Sequence, residues 1–177
     1  MSSFDFESKI QNIRDYPEPS IVFKDITPLI GDGDGFRATI DDIVAHFKDQ
    51  GITKVLGAEA RGFLLGAPVA YALHAGFVPA RKPGKLPRAV YSMSYDLEYG
   101  TNELQIHKDA LCPKDRVLIV DDLIATGGTA LASARLAKQA GASLVGFAFL
   151  LELCFLNPRE TIAKEFDEEM YTLVKVH

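Results

Sequence analysis

The sequence predicts an α/β fold, in which helices flank a twisted, mostly parallel sheet. Residues 117–120 and 144–153 are near-continuous apolar runs, as expected of parallel strands buried on both faces. Strand-like runs alternate with helix-like segments along the chain, the order of a doubly wound sheet. Asp121 and Asp122 directly follow one run, and a Thr-Gly-Gly-Thr turn comes next. The carboxyl edge of such a sheet is where open α/β folds bind ligands.

The elements are predicted in order from the amino terminus. Residues 4–13 are predicted to form a short amphipathic helix, because Phe6, Ile10 and Ile13 recur at helical spacing, and a Pro-Glu-Pro sequence ends it. The glycine- and aspartate-rich turn at residues 31–35 predicts the start of a helix over residues 36–50. The remaining predicted elements are strands over residues 54–58, 77–81, 117–120, 144–153 and 171–176, and helices over residues 63–75 and 129–139.

Residues 82–102 interrupt this alternation. The segment is polar, rich in Tyr, Gly and Pro, and too long for an ordinary connection. We therefore predict a long loop, which in a compact domain is usually functional.

Composition narrows the class of protein. A chain of 177 residues with 47% hydrophobic content can build one domain with a sizeable core. The formal charge of −5 argues against a nucleic-acid surface. The sequence shows neither a secretion signal nor an apolar run near the ~20 residues of a membrane span. Cys112 and Cys154 give no disulfide framework or metal spacing. We expect a cytoplasmic protein that binds neither nucleic acid nor membrane.

The segment from Asp121 to Thr129 has the chemistry of a site for a 5-phosphorylated ribose. The paired carboxylates of Asp121 and Asp122 are natural partners for the vicinal hydroxyls of a ribose. Gly127 and Gly128 allow a tight turn with exposed amides, and the next helix adds its positive end, so that a phosphate fits there. The hydroxyls of Thr126 and Thr129 can donate hydrogen bonds.

The same segment has two other interpretations, a magnesium site of a nucleotide triphosphatase and a purely structural turn. In nucleotide triphosphatases an acid at a strand end holds magnesium, but that class needs a Gly-x-x-x-x-Gly-Lys-Ser/Thr loop. The sequence has one Gly-Lys pair, Gly84-Lys85, and Leu86 follows it; a Gly-x-Gly-x-x-Gly dinucleotide loop is also missing. The second alternative is a purely structural turn.

The same segment closely resembles the phosphoribosyl pyrophosphate signature of the type I phosphoribosyltransferases. Four more segments extend the resemblance from about Ile13 to Glu152, and two of them, SIVFKDITPL and YDLEYG, point to the members that act on adenine. The resemblance implies a single domain over residues 1–177, with an N-terminal hood over about residues 1–35 and a mobile flap over about residues 82–102. It also implies Mg²⁺ and a homodimer. The four segments are residues 20–29, 57–63, 81–87 and 95–100.

The activity implied by the resemblance is transfer of the 5-phosphoribosyl group from phosphoribosyl pyrophosphate to N9 of adenine, giving AMP and pyrophosphate in purine salvage. Such a reaction needs cations on pyrophosphate, a fixed ribose and exclusion of water. Arg61 fits the first need, because a cation at a helix N-terminus is unfavourable unless an anion compensates it. Mg²⁺ is expected to bind mainly through the substrate, with Asp121 and Asp122 reaching it through water.

The resemblance assigns each part of the substrates to a group of residues. Ribose 5-phosphate is assigned to Asp121, Asp122, Ala125, Thr126, Gly127, Gly128 and Thr129; pyrophosphate to Glu59, Ala60, Arg61, Arg81, Lys82 and Lys85; adenine to Val22, Phe23, Lys24 and Glu98, with Tyr99 helping to close the flap. The catalytic residues among these are Glu98, Arg61, Asp121 and Asp122. On composition alone, residues 21–23 could equally form a core strand, and Glu98 and the basic residues could be solvated loop charges.

The choice of base rests more on the resemblance than on a physical argument from the residues. Lys24 stands where the family more often has Arg, and the change removes a planar donor fork. Two alternatives stay open. One is the same chemistry on hypoxanthine, guanine or xanthine. The other is a catalytically silent regulator that senses phosphoribosyl pyrophosphate.

Overall fold

The structure, a computed structural model, describes residues 4–96 and 101–177. Its contacts divide the chain into two compact units, Met1–Asp42 and Ile43–His177. The first unit holds a 3-10 helix (Glu7–Lys9), β1 (Gln11–Arg14), β2 (Val22–Asp25), α1 (Thr27–Gly31) and the start of α2 (Gly33–Phe47). The second holds β3 (Lys54–Ala58), α3 (Arg61–Ala72), β4 (Gly76–Ala80), β5 (Val90–Asp96), β6 (Thr101–His107), β7 (Arg116–Ile124), α4 (Gly128–Gln139), β8 (Ser143–Leu153), a 3-10 helix (Cys154–Leu156), α5 (Pro158–Ala163) and β9 (Glu169–Val176).

A five-stranded sheet in the order β4-β3-β7-β8-β9 forms the core of the second unit, and all its pairings are parallel. The predicted doubly wound sheet is thus confirmed. The central strands are apolar on both faces because helices or the β5–β6 hairpin cover them. Leu118, Val120, Phe147 and Leu150 are fully buried there.

The strand order places a topological switch point between β3 and β7. From β3 the chain passes through α3 to β4 on one side, and from β7 it passes through α4 to β8 on the other. At such a point the two connections diverge and leave a crevice at the carboxyl edge of the sheet.

The prediction of a long loop over residues 82–102 is wrong in part. Val90–Asp96 pairs antiparallel with Thr101–His107, and Arg81 forms a bridge to Gln105. Tyr91, Met93 and Tyr95 alternate with serines and pack against the core. This period of two is the signature of a half-buried strand, and it was readable in the sequence.

The predicted helix over residues 4–13 is also wrong. A 3-10 turn at Glu7–Lys9 is followed by strand β1, in which Ile13 lies opposite Phe23 of β2. A helix of that length is marginal without a strong apolar face, whereas pairing with β2 satisfies the backbone groups of β1.

The other predicted elements are present, with ends displaced by a few residues. Helix α2 begins at Gly33, because the Asp32 carboxylate accepts a hydrogen bond from the Asp34 N–H (3.1 Å) and acts as an N-cap. None of the helices in residues 4–96 and 101–177 is long and apolar enough to cross a membrane.

Candidate active site

A cavity of about 290 Å³ opens at the switch point between β3 and β7. The turn after β3, the end of β7 and the turn into α4 supply most of its wall. The cavity brings together these predicted residues: Glu59, Ala60, Arg61, Lys82, Asp121, Asp122, Ala125, Thr126, Gly127, Gly128 and Thr129. Sequence reasoning missed the wall residues Tyr95, Leu104, Leu123, Ile124, Ala130 and Phe149. Both Tyr95 and Leu104 belong to the β5–β6 hairpin; Tyr95 lies in the segment predicted as a loop, and Leu104 lies just beyond it.

The turn into α4 has the geometry of a phosphate site. Gly127 adopts φ +95°, a left-handed conformation that favours glycine, and caps α4, which begins at Gly128. The Gly127 carbonyl accepts the first helical hydrogen bond, from the Leu131 N–H at 2.9 Å. The amides of the first turn of α4 therefore have no partner within the helix, and together with the helix dipole they favour an anion.

The acidic pair lies within β7 rather than after it, because the strand continues to Ile124. The prediction of a four-residue strand ending before Asp121 is therefore wrong. Successive residues of a strand point to opposite faces, so the two carboxylates are not equivalent. Asp121 lies over the start of α3, where a Cβ on Gly62 would stand 2.8 Å from Asp121 Oδ1. That oxygen also accepts a hydrogen bond from the Asp122 N–H at 2.9 Å.

Asp122 is paired with the cation that follows β3. Arg61 Nε lies 2.9 Å from Asp122 Oδ2, and Asp122 is 4% exposed. The Arg61 side chain is 44% exposed, so part of its guanidinium also faces the cavity. The two turns that meet at the switch point are thus joined by an ion pair.

Burial and the neighbouring charge of Asp122 raise the pKa of Asp121 well above its usual value. Burial also raises the pKa of Asp122, although Arg61 opposes this by stabilising the charged form. The pair is therefore suited to hydroxyl donors or a cation that arrive with a substrate.

Arg81 is paired with Glu59, a residue of the cavity wall. Arg81 Nε donates to Glu59 Oε2 at 2.7 Å. Burial works to raise the pKa of Glu59, but the hydrogen bonds from Arg81 and from the Lys82 N–H outweigh it and lower that pKa. The next peptide bond, Glu59–Ala60, is cis. Lys82 lines the cavity, whereas Arg81 and Lys85 do not, and their contact with pyrophosphate stays a prediction.

The residues assigned to adenine lie elsewhere in the chain. Val22, Phe23 and Lys24 form β2 of the first unit, where the Phe23 ring packs edge-on against Tyr16 at 5.3 Å. Lys24 Nζ donates to Asn12 Oδ1 at 2.5 Å. Tyr16 was not among the predicted site residues, and no sequence motif points to it. Glu98 and Tyr99 lie outside the described residues.

Comparison with known proteins decides the family. The model of the phosphoribosyl transferase domain matches residues 33–175. An adenine phosphoribosyltransferase of Desulfitobacterium hafniense (strain Y51) is 50% identical over 175 residues, 99% of each chain. The enzyme of the same name from Aeromonas salmonicida (strain A449) is 57% identical over 147 residues, 83% of this chain and 81% of the relative. The chain belongs to the adenine phosphoribosyltransferase family.

Solved structures of adenine phosphoribosyltransferases share the whole fold. The enzyme from Rhodothermus marinus DSM 4252 superimposes with a TM-score of 0.91 at 47% identity, covering 97% of this chain and 96% of the other. The enzyme from Giardia lamblia, complexed with 9-deazaadenine, gives 0.93 at 37% identity over 100% and 99%. The predicted family and fold are confirmed. The structural similarity extends beyond Glu152, where the quoted sequence resemblance ends.

Proposed function

We propose that this chain transfers the 5-phosphoribosyl group from phosphoribosyl pyrophosphate to N9 of adenine, releasing AMP and pyrophosphate for purine salvage. The observation that carries the proposal is the cavity at the switch point. It holds a glycine turn for a phosphate, two carboxylates for ribose hydroxyls and two cations, Arg61 and Lys82, for a second anion. The relatives of nearly full length that carry the name of this activity support the choice of base.

The proposed reaction is a displacement at C1 of the ribose. As the bond to pyrophosphate breaks, negative charge develops on the leaving group and the ribose acquires oxocarbenium character. Arg61 and Lys82 stabilise the leaving group, while Asp121 and Asp122 hold the ribose hydroxyls and residues 125–129 hold the 5′-phosphate. The described residues are arranged for binding and charge stabilisation, and the scheme uses no covalent nucleophile.

Mg²⁺ fits this arrangement as a partner of the substrate. It binds carboxylate oxygens, keeps several waters and often reaches proteins through substrate phosphates. The residues that the structure describes contain no cluster of three acid, His or Cys ligands, so Asp121 and Asp122 would hold the ion together with phosphoribosyl pyrophosphate. The ion supplies charge neutralisation on pyrophosphate when it is bound.

Adenine recognition is assigned to β2 and the flap. Backbone groups around Val22 and Lys24 would read the edge of the base, and Phe23 would stack on its face. Glu98 would face N7 and exchange a proton with the ring, since burial on closure raises the pKa of a carboxyl group. Tyr99 would help to close the flap.

The proposed setting is a homodimer in the cytoplasm. Leu64 and Tyr71 are seven residues apart on one face of α3, and both are exposed (44% and 85%). Such an apolar face is suited to a second subunit. The two cysteines are free thiols, which suits a reducing compartment.

Pyrophosphate release from phosphoribosyl pyrophosphate and Mg²⁺, measured with adenine, hypoxanthine, guanine and xanthine in turn, tests the proposal. Release with adenine alone is expected. Release with another purine would assign the same chemistry to a different base. Binding of phosphoribosyl pyrophosphate without turnover of any base would instead indicate a sensor.

A further inference from the structure

We propose that Glu152 and Arg159 are a positioning pair for the turn assigned to the 5′-phosphate. The pair lies outside the cavity wall, at the carboxyl end of β8 and the start of α5. It fixes α5, and α5 in turn supports Gly127 from behind. The inference rests on the proposed function, because it concerns how that phosphate is held.

The ion pair has the geometry of a strong, directional contact. Arg159 Nε donates to Glu152 Oε1 at 2.8 Å and Nη2 donates to Oε2 at 2.7 Å. The Thr172 hydroxyl donates to Glu152 Oε2 at 2.9 Å, and Arg159 Nη1 donates to the Met170 carbonyl at 2.9 Å. Arg159 thereby links α5 to both β8 and β9.

Glu152 is a charged group with little access to water. It is 2% exposed, and burial alone would raise its pKa, yet the hydrogen bonds from Arg159 and Thr172 lower it. A buried carboxylate of this kind depends on its partners, so its geometry is fixed. In the sheet it lies opposite Ile124, the last residue of β7 before the phosphate turn.

Helix α5 connects this pair to Gly127. A Cβ on Gly127 would meet Thr161 Cγ2 at 3.4 Å and Ile162 Cδ1 at 3.7 Å, so these side chains lie directly behind the turn. With six residues, α5 is too short to be stable by itself. The buried Pro158 and Ile162 and the Arg159 ion pair hold it in place. Loss of the pair would let α5, and with it the support of Gly127, shift.

Binding of ribose 5-phosphate, measured by calorimetry without any base, tests the pair directly. Arg159→Met is expected to weaken binding by about tenfold, the scale of a sub-ångström misplacement of a binding group. Arg159→Lys keeps the charge but not the fork, and should recover part of the affinity. In turnover assays, the KM for phosphoribosyl pyrophosphate should rise while the KM for adenine stays within about twofold, because only the phosphate turn is disturbed.

Two further variants keep the test decisive if Arg159→Met does not fold. Glu152→Gln combined with Arg159→Met removes both charges, so no buried carboxylate is left without a partner. Thr161→Ser removes only the methyl group nearest Gly127. Both should weaken ribose 5-phosphate binding. Arg116→Met is the control, because Arg116 bonds the Gln50 carbonyl at the opposite edge of the sheet.

Native affinity for ribose 5-phosphate in the folded variants, or an equal loss in Arg116→Met, would overturn the proposal. Failure of the proposed function looks different. Adenine would then give no pyrophosphate with the native chain, while the binding measurement would still report on the turn. A native chain that does not bind ribose 5-phosphate would overturn both.

Discussion

At the scale of single residues, Asp121 and Asp122 differ in environment although they are adjacent. Asp121 lies against Gly62 at the start of α3, and Asp122 is paired with Arg61. The causes of their pKa shifts also differ. Burial and the charge of Asp122 raise the pKa of Asp121, whereas at Asp122 the charge of Arg61 opposes the effect of burial. The two carboxylates should therefore be tested separately.

Asp121→Asn should stabilise the folded chain at neutral pH while reducing turnover. The folded pKa of Asp121 is raised above the ordinary value of 3.8, so the native state binds more protons than the unfolded state between those two values. Native stability is therefore lost as pH rises from 3.8 through the folded pKa. In acid the variant should melt at the same temperature as the native chain. Above this window it should melt at a higher temperature, with an unfolding free energy larger by about 0.5–2 kcal/mol.

Asp115→Asn is the matched control with the opposite sign. Burial would raise the pKa of Asp115, but hydrogen bonds from the Cys112 N–H and the Thr53 hydroxyl lower it. Its stabilising contribution is therefore present above pH 3.8 and lost as pH falls through the folded pKa. This variant should melt below the native chain at neutral pH. A fall in Tm for Asp121→Asn as well would contradict the account of Asp121.

Arg61→Lys should lower kcat/KM by about a hundredfold, the usual effect of losing one preorganised donor. Arg61 holds Asp122 through Nε and still presents guanidinium to the cavity. A single ammonium cannot serve both groups. Steady-state kinetics with phosphoribosyl pyrophosphate as the varied substrate measure the loss. Arg116→Lys, at the amino edge of the sheet, should leave kcat/KM within about twofold.

At the scale of elements, the turn into α4 combines a conformational and a steric requirement for glycine. Gly127 has φ +95°, and a Cβ there would touch Thr161. Glycine is therefore needed both for the backbone angle and for the approach of α5. The backbone conformation of Gly127 sets the direction in which the amides of the first turn of α4 point.

Gly127→Ala should weaken binding of ribose 5-phosphate by about tenfold and cost about 1–2 kcal/mol of stability, the usual penalty of a left-handed alanine. Gly141→Ala is the matched control at the other end of α4. Gly141 has φ +83°, and a Cβ there would meet Pro113 at 3.3 Å. Thermal melting of both variants measures the loss of stability, and calorimetry measures their affinity for ribose 5-phosphate. If Gly141→Ala also lost the ligand, the effect would be one of stability alone.

At the scale of the whole molecule, a second subunit is expected to cover α3. Tyr71→Asp should convert a dimer into a monomer, because it places a charge in an apolar contact. Light scattering after gel filtration measures the mass. Lys48→Asp is the control: it lies outside the α3 face and should leave the mass unchanged. A native chain that runs as a monomer would contradict the prediction.

The sequence was sufficient for the sheet and for the parts of the site that are local in the chain. β3 was predicted with its observed bounds, and the turn at residues 125–127 follows β7 and leads into α4 as expected. These features depend on apolar runs, glycines and charges within a few residues of one another. Local patterns of this kind survive folding because the same residues make both the element and the site.

Features that depend on distant pairing were not predictable in the same way. The end of β7 is set by β8, which pairs with it as far as Ile124. Arg81 and its partner Glu59 are 22 residues apart in the sequence. Gly127 and the α5 residues that it contacts are more than thirty residues apart. The β5–β6 hairpin is the exception, because its alternating pattern was visible and was outweighed by its polar composition.

The most direct test of the account is pyrophosphate release with adenine by the native chain and by the double variant Asp121→Asn, Asp122→Asn. The cavity between β3 and β7 predicts that the double variant loses turnover by about a thousandfold or more, as expected when preorganised groups are removed from a site. At neutral pH its melting temperature should be at or above that of the native chain, because the folded pKa values of both carboxyl groups are raised. A double variant that releases pyrophosphate at the native rate would contradict the assignment of this cavity as the phosphoribosyl site.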